Sequence, residues 1–232
     1  MIRTQGLSVR YEDGRLALNH ISLTVRTGEV YCLLGPRGAG KTTLHNAFLG
    51  LVAPATGKAF INGLDCAISG SEAQKKIVFL SEKTSLYEYI KCGVNVELLT
   101  RLSGAPMPTK AECISAIREV NLPDRILRSR VKELSPVWKQ KLLLAMAVVR
   151  KVPALLLDDP TDLLDAVAAR ELTQELLRFK TRDVAILLTT HDPVVARDLG
   201  DRIGILDRGL ITKELDPRAT SDQELFTALR SN

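Results

Sequence analysis

An apolar run, Val30-Tyr31-Cys32-Leu33-Leu34, feeds directly into Gly35-Pro36-Arg37-Gly38-Ala39-Gly40-Lys41-Thr42-Thr43, and a helical pattern begins at Lys41. The stretch fits G-x-x-x-x-G-K-[ST], and a strand before it with a helix after it is the context that gives the pattern meaning. Glycines let backbone N–H groups turn inward and approach an anion closely. The helix start adds partial positive charge. Lys41 supplies a full positive charge for the β- and γ-phosphates of ATP, and the Thr42 hydroxyl suits Mg²⁺. Gly35, Pro36, Arg37, Gly38, Ala39, Gly40, Lys41, Thr42 and Thr43 are therefore candidate nucleotide-binding residues. A glycine-rich turn beside a chance lysine leaves the spacing unexplained.

A chain of 232 residues is expected to form one domain, with room for an inserted subdomain. Aromatics at 4% argue against a base-stacking nucleic-acid surface, and no nucleic-acid partner is expected. The net charge of +5 fits a mixed-charge, solvated surface, with an anionic partner as the minor alternative. Cys32, Cys66, Cys92 and Cys113 form no CxxC pair and read as reduced, mostly buried thiols of a cytosolic protein. The start, MIRTQGLSVRYEDG, lacks a charged-then-apolar leader pattern. No apolar run reaches the ~18 residues that span a bilayer, so a membrane role needs the span of another chain.

Residues 7–11 and 21–25 alternate like paired strands around the turn signal Glu12-Asp13-Gly14. Ala59-Phe60-Ile61 ends in Asn62-Gly63, and Ile77-Val78-Phe79-Leu80 ends at Ser81-Glu82. The pattern then turns helical from about 88 to 150, with Val94, Leu98, Leu99 and Leu102 at helical spacing. Pro108-Thr109 opens another helix, with Ile114, Ile117 and Val120 on one face. Strands return at 154–157, 185–188 and 203–206 with helices between them. Ser221 and Glu224 form a capping-box start for a last helix. The fold class is α/β: a P-loop core of mostly parallel sheet flanked by helices. Antiparallel β strands precede it, a helical subdomain is inserted at about 83–150, and a tail runs from about 216 to 232.

A second chemical feature lies far downstream. Leu155-Leu156-Leu157 is a buried strand ending in Asp158-Asp159. Neighbouring strand residues face opposite sides. Asp158 suits an outer-shell contact to Mg²⁺, and Asp159 then lies near the γ-phosphate, able to orient or deprotonate water. An acidic strand end that merely caps the next helix is the alternative.

This constellation resembles the ATP-binding subunit of an ABC transporter over about residues 2–215. Tyr11, ahead of Ala17-Leu18, is similar to the aromatic that stacks on adenine. Ile77–Glu82 with Ser85-Leu86-Tyr87 resembles the segment that normally carries a glutamine and touches the membrane subunit. Leu134-Ser135-Pro136-Val137-Trp138-Lys139-Gln140 stands where the family signature belongs. Leu155–Thr161 resembles the Walker B strand, Leu164-Asp165 the D-loop, and Thr190-His191-Asp192 the switch histidine. The resemblance implies a head-to-tail pair of domains, with each ATP between one chain's phosphate loop and the other's signature. It implies catalytic roles for Lys41, Asp159 and His191, a nucleotide contact for Ser135, and Mg²⁺ positions at Thr42, Glu82 and Asp158. Transmembrane permease subunits and a second ATP-binding domain are the implied partners. The implied location is cytoplasmic, peripheral on the inner face of the cell membrane. The compact length is most similar to bacterial export-type transporters with separate membrane subunits.

Three positions depart from that family. Pro136 and Val137 replace paired glycines whose N–H groups, with Ser135, hold the partner's γ-phosphate. Proline removes an N–H, and valine adds a branched side chain where backbone should approach phosphate. Asp159 replaces glutamate and is one methylene shorter, a displacement of about 1 Å that can cost on the order of 100-fold in rate. Glu82 replaces glutamine, keeping an oxygen for Mg²⁺ but adding negative charge. The expected activity is ATP hydrolysis at a low rate that drives membrane subunits. A regulatory subunit that binds ATP with little turnover, paired with an intact ATPase chain, is the second reading. A non-transport relative acting on DNA or ribosomes is the third, and neither a coiled-coil insertion nor a tandem domain is present to favour it. Trp138 either fills a core gap or faces a partner, and His20 and His45 match no motif.

Overall fold

A computed structural model of the protein describes residues 1–81 and 86–230. Two antiparallel strands open the chain, β1 (Ile2–Arg10) and β2 (Leu16–Val25). The Arg15 N–H donates to Asp13 Oδ1 and closes the turn between them. β3 (Val30–Leu34) leads through the glycine-rich loop into α1 (Lys41–Phe48). β4 (Thr56–Ile61) turns at Asn62-Gly63 into β5 (Leu64–Asp65). Those two turn residues have φ of 48° and 84°, the left-handed backbone that Asn-Gly hairpins favour. Then come α2 (Gly70–Gln74) and β6 (Ile77–Ser81), followed by three helices, α3 (Cys92–Leu102), α4 (Lys110–Glu119) and α5 (Pro136–Arg150). The last part alternates through β7 (Ala154–Asp158), α6 (Ala166–Lys180), β8 (Ala185–Thr190), α7 (Pro193–Leu199) and β9 (Arg202–Asp207). It closes with β10 (Leu210–Leu215) and α8 (Asp222–Arg230), whose Ser221–Glu224 capping box forms as the sequence indicates.

The strands make two sheets. One is antiparallel in the order β2-β1-β4-β5. The other runs β10-β9-β3-β8-β7-β6, parallel from β9 to β6 with β10 antiparallel at its edge. This is the α/β class read from the alternating pattern. Alternation sends successive strand residues to two cores. Val30, Cys32, Leu34, Leu155, Leu157, Ile186 and Leu188 face the helical side, with α3 to α7. Tyr31, Leu33, Ala154, Leu156, Ala185 and Leu187 face the antiparallel sheet and α1. The same parity carries Asp158 and Thr189, the next odd step along β7 and β8, to the α1 side.

The helical block differs from its apolar pattern in one respect. Val94 and Leu102 are 45% and 65% exposed, and the inward face of α3 is Cys92, Asn95, Val96 and Thr100. Asn95 is fully buried because it serves the backbone. Its Oδ1 accepts from the Tyr87 N–H, and its Nδ2 donates to the Tyr87 carbonyl. A polar residue thus took the core position that a hydrophobic stripe assigns elsewhere. The boundary at 83 lies outside the described residues, and the first helix of the block starts at Cys92. In α4, under a Thr109–Glu112 capping box, Ile117 is buried as expected, as is Val120 at the C-cap, while Ile114 is only half-buried. α5 is tied to α6 by buried Lys141, whose Nζ lies 2.6 Å from Glu171 and 3.3 Å from Glu175.

Candidate active site

Parallel pairing aligns the carboxyl ends of the central strands. Ser81 pairs with Asp158, Asp158 with Thr189, and Leu34 with Thr190. Residues 35–43, 158–159 and 189–191 therefore meet at one edge of the sheet, where open α/β sheets bind ligands. Arg37, Gly38, Gly40 to Thr43, Asp158 and Asp159 border a cavity of about 490 Å³.

The loop from Gly35 to Gly40 is folded tightly around that cavity. A Cβ on Gly35 would lie 2.3 Å from the Leu206 carbonyl oxygen, and one on Gly40 would lie 2.6 Å from the Ala17 oxygen. Gly40 also has φ of 113°, so no other residue is tolerated there without displacing backbone. Helix α1 begins at Lys41 with no side-chain cap, which leaves its first N–H groups directed at the cavity. Lys41 is 5% exposed, and its Nζ donates to the carbonyls of Gly35 and Pro36 at 2.7 and 3.2 Å. A buried cation held by two loop carbonyls and 3.6 Å from the Asp159 carboxylate, beside uncapped N–H groups, fits a polyphosphate. Pro36, Gly38, Ala39 and Thr43 complete the loop, and Ala39 is buried against the antiparallel sheet.

The opposite wall is acidic. Thr42 Oγ1 donates to Asp158 Oδ2 at 2.8 Å, so the hydroxyl and carboxylate proposed for Mg²⁺ are already in contact. A hydroxyl beside one carboxylate suits a Mg²⁺ that keeps water and phosphate ligands. Among the described residues no group of three or more His, Cys, Asp and Glu side chains is arranged to hold a metal. Glu82 lies outside the described residues.

Asp159 sits just past the strand, with φ of 44° and its N–H on the Thr189 carbonyl. Left-handed backbone is tolerated by aspartate better than by most residues. Its Oδ1 accepts from both the His191 N–H and His191 Nδ1, at 3.0 and 2.8 Å. Its Oδ2 is left 3.6 Å from Lys41 Nζ. His191 Nε2 approaches Asp162 Oδ1 at 3.4 Å, and Asp162 in turn accepts from Arg37 Nη2 at 3.0 Å. Arg37, a candidate nucleotide contact by sequence, is largely exposed and pairs with this chain's own Asp162.

Tyr11 is placed beside the loop: its hydroxyl lies 3.0 Å from Thr43 Oγ1, and the Arg15 guanidinium lies 5.1 Å from its ring centroid. Arg15 and Arg208, rather than Tyr11, reach the cavity wall. Ser135 is the N-cap of α5 and accepts from the Trp138 N–H at 3.4 Å. Pro136 takes the first helical position, where a missing N–H costs the helix nothing. Val137 is 6% exposed and packs in the helical-side core, with half-buried Trp138 packed against the same cluster.

The fold brings here Arg15, Asp162, Thr189 and Arg208, to which the sequence assigns no role, and His45, which matches no motif. His45 is fully buried under Phe79, with Nε2 3.0 Å from Thr189 Oγ1. Burial lowers its pKa and keeps the ring neutral, so its 3.9 Å approach to Asp158 is not an ion pair. All four cysteines are free and buried, and burial pushes the Cys66 and Cys92 thiols up to about 11.

A family model described as "ABC transporter" matches residues 18–162, and the chain belongs to that family as an ATP-binding domain. The probable multidrug ABC transporter ATP-binding protein YbhF of Escherichia coli (strain K12) is 31% identical over 90% of this chain. The chain spans 36% of YbhF's length. A solved structure described as the ATP binding subunit of an ABC transporter matches with a TM-score of 0.84 and 26% identity, over 99% of each chain. The dimeric structure of MJ0796, a bacterial ABC transporter cassette, matches with a TM-score of 0.81 and 25% identity, over 95% of this chain and all of that one.

Proposed function

We propose that this chain binds Mg-ATP at the loop Gly35–Thr43 and hydrolyses it slowly, as one half of a head-to-tail pair that drives membrane subunits. The observation that carries the reading is Lys41, buried between loop carbonyls, 3.6 Å from Asp159 and bordering the same cavity as Asp158. Lys41 and the α1 N–H groups bind the phosphates. Thr42 and Asp158, with Glu82 as a further candidate, would hold Mg²⁺, which supplies charge that neutralises the triphosphate. Asp159 Oδ2 is the oxygen proposed to accept a proton from water, because Oδ1 takes both His191 contacts while Oδ2 faces Lys41 Nζ at 3.6 Å. Tyr11 and Arg15 flank the place for the base.

Ser135 would complete the partner's site, and the dimeric cassette MJ0796 supports pairing of this kind. Among the described residues no helix is long and apolar enough to cross a membrane. Transmembrane permease subunits are the proposed partners. The chain then sits at the inner face of the cell membrane.

A second reading, a regulatory subunit with little turnover beside an intact ATPase chain, is favoured by two observations. The Ser135 hydroxyl is engaged by its own helix, and Asp159 is held by His191. Equilibrium binding of ATP to the purified chain tests what both readings share. Binding in the usual range of about 1 μM to 1 mM that tightens with Mg²⁺ is expected. Absence of binding at millimolar ATP contradicts both.

A further inference from the structure

Helix α1 touches the acidic wall twice. At its first turn Thr42 Oγ1 donates to Asp158 Oδ2 at 2.8 Å. Three residues on, on the same helix face, His45 Nε2 lies 3.0 Å from Thr189 Oγ1. Thr189 Oγ1 in turn lies 2.6 Å from Asp158 Oδ1. A threonine hydroxyl has one proton, and the carboxylate oxygen can only accept it. Thr189 therefore donates to Asp158 and accepts from the N–H on His45 Nε2. His45 Nδ1 is then the bare nitrogen, and it has no hydrogen-bond partner among the described residues. The result is a closed circuit: Thr42 to Asp158 from the front, and His45 through Thr189 to the same carboxylate from behind.

We propose that His45 and Thr189 are positioning residues that lock the Asp158 carboxylate, and through it the Thr42 hydroxyl, in the orientation a divalent cation needs. The inference rests on the reading of Asp158 and Thr42 as the Mg²⁺ contacts. Each Asp158 oxygen has one donor, so the carboxylate cannot rotate without breaking both bonds. With Asp158 fixed, the Thr42 proton is committed to it and a Thr42 lone pair is free for the cation. His45 is held for this task by complete burial and by the tilted Phe79 ring, 5.5 Å away between centroids. Supporting partners of this kind commonly contribute about 10- to 100-fold in metal affinity.

The test is an electron paramagnetic resonance titration of Mn²⁺ into the full chain holding ADP, beside ADP binding in EDTA. His45→Leu and Thr189→Val are each expected to weaken Mn²⁺ about 10-fold. The double variant should be no weaker than the worse single one, because one circuit is broken in both. ADP affinity in EDTA should stay within about two-fold, since a metal-positioning circuit does not touch the phosphate cradle. His45→Gln, which keeps an N–H donor, should recover most of the loss. Should His45→Leu fold poorly, the near-isosteric Thr189→Val carries the test. Asp158→Asn separates the two levels of the argument. If Asp158→Asn loses Mn²⁺ while the other two variants keep it, the positioning role is overturned. If Asp158→Asn itself keeps Mn²⁺, the metal reading fails and takes the inference with it. Equal loss of Mn²⁺ and of metal-free ADP affinity shows a merely structural role and also overturns the proposal.

Discussion

Two helix starts in this molecule are built in opposite ways. Helix α1 begins after Gly40 with no side-chain cap, so its first N–H groups remain available to a ligand. Helix α5 begins after Ser135, whose hydroxyl already accepts from Trp138, with proline next and a buried valine after that. A helix N-terminus attracts anions only through N–H groups left unspent. The first start is prepared for phosphate, and the second has used most of what the family signature would offer a partner's nucleotide. Under the proposed function, the contrast separates binding, assigned to α1, from closure and turnover, assigned to α5 and Asp159.

The sharpest way to break the contrast is at α1. Lys41→Ala is expected to weaken ATP binding by about 100-fold, since it removes a charge-assisted contact of roughly 3 kcal/mol and leaves the loop otherwise intact. Isothermal titration reads it, and affinity within three-fold of the parent would make Lys41 a loop-structuring residue only.

Asp159→Glu comes next. It restores the reach of the carboxylate and should raise Mg-ATP turnover by about 10-fold or more. The left-handed backbone at 159 suits glutamate less well, so thermal stability should fall slightly at the same time. A faster enzyme with unchanged melting temperature would show that the backbone relaxes on substitution. No gain in rate, with binding intact, would place the limit at α5.

Smaller effects are expected at α5 itself. Pro136→Gly with Val137→Gly returns one N–H and removes a buried branched side chain. ATP-dependent dimerisation, followed by sedimentation, should tighten by about 10-fold through one extra hydrogen bond to phosphate. The same change empties part of the core and should cost about 2 kcal/mol, or roughly 4 to 8 °C in Tm.

The buried thiols give the mildest signature. Cys66 and Cys92 ionise near 11 in the folded chain against an ordinary value of 9.0. Their raised values favour the fold fully below pH 9, and that contribution is lost as pH rises toward 11. Urea midpoints should therefore be flat from pH 7 to about 9 and decline above it. A midpoint that rises over that upper interval would contradict the burial described here.

What the sequence disclosed follows contiguity. The loop, its strand and its helix are consecutive residues whose spacing carries the physics, and the Asp158–Asp159 pair ends an unbroken apolar run. The α3 stripe misled because Asn95 is buried to serve the Tyr87 backbone, a tertiary demand with no periodic trace. The Arg37–Asp162 pair joins residues 125 apart, and the His45–Thr189 pair joins residues 144 apart. Only the strand order of the parallel sheet brings such partners together. A polar residue at a buried helix position, such as His45, is the one local hint the sequence carried.

In the proposed function the loop binds nucleotide, while Asp159, Pro136 and Val137 make its turnover slow. Steady-state Mg-ATP turnover of the purified chain, measured at saturating ATP beside Lys41→Ala, tests it most directly. The account predicts ATP binding by the parent chain with turnover well under about 1 per second, the low end of ordinary enzymes. Turnover of several per second that disappears in Lys41→Ala would contradict it.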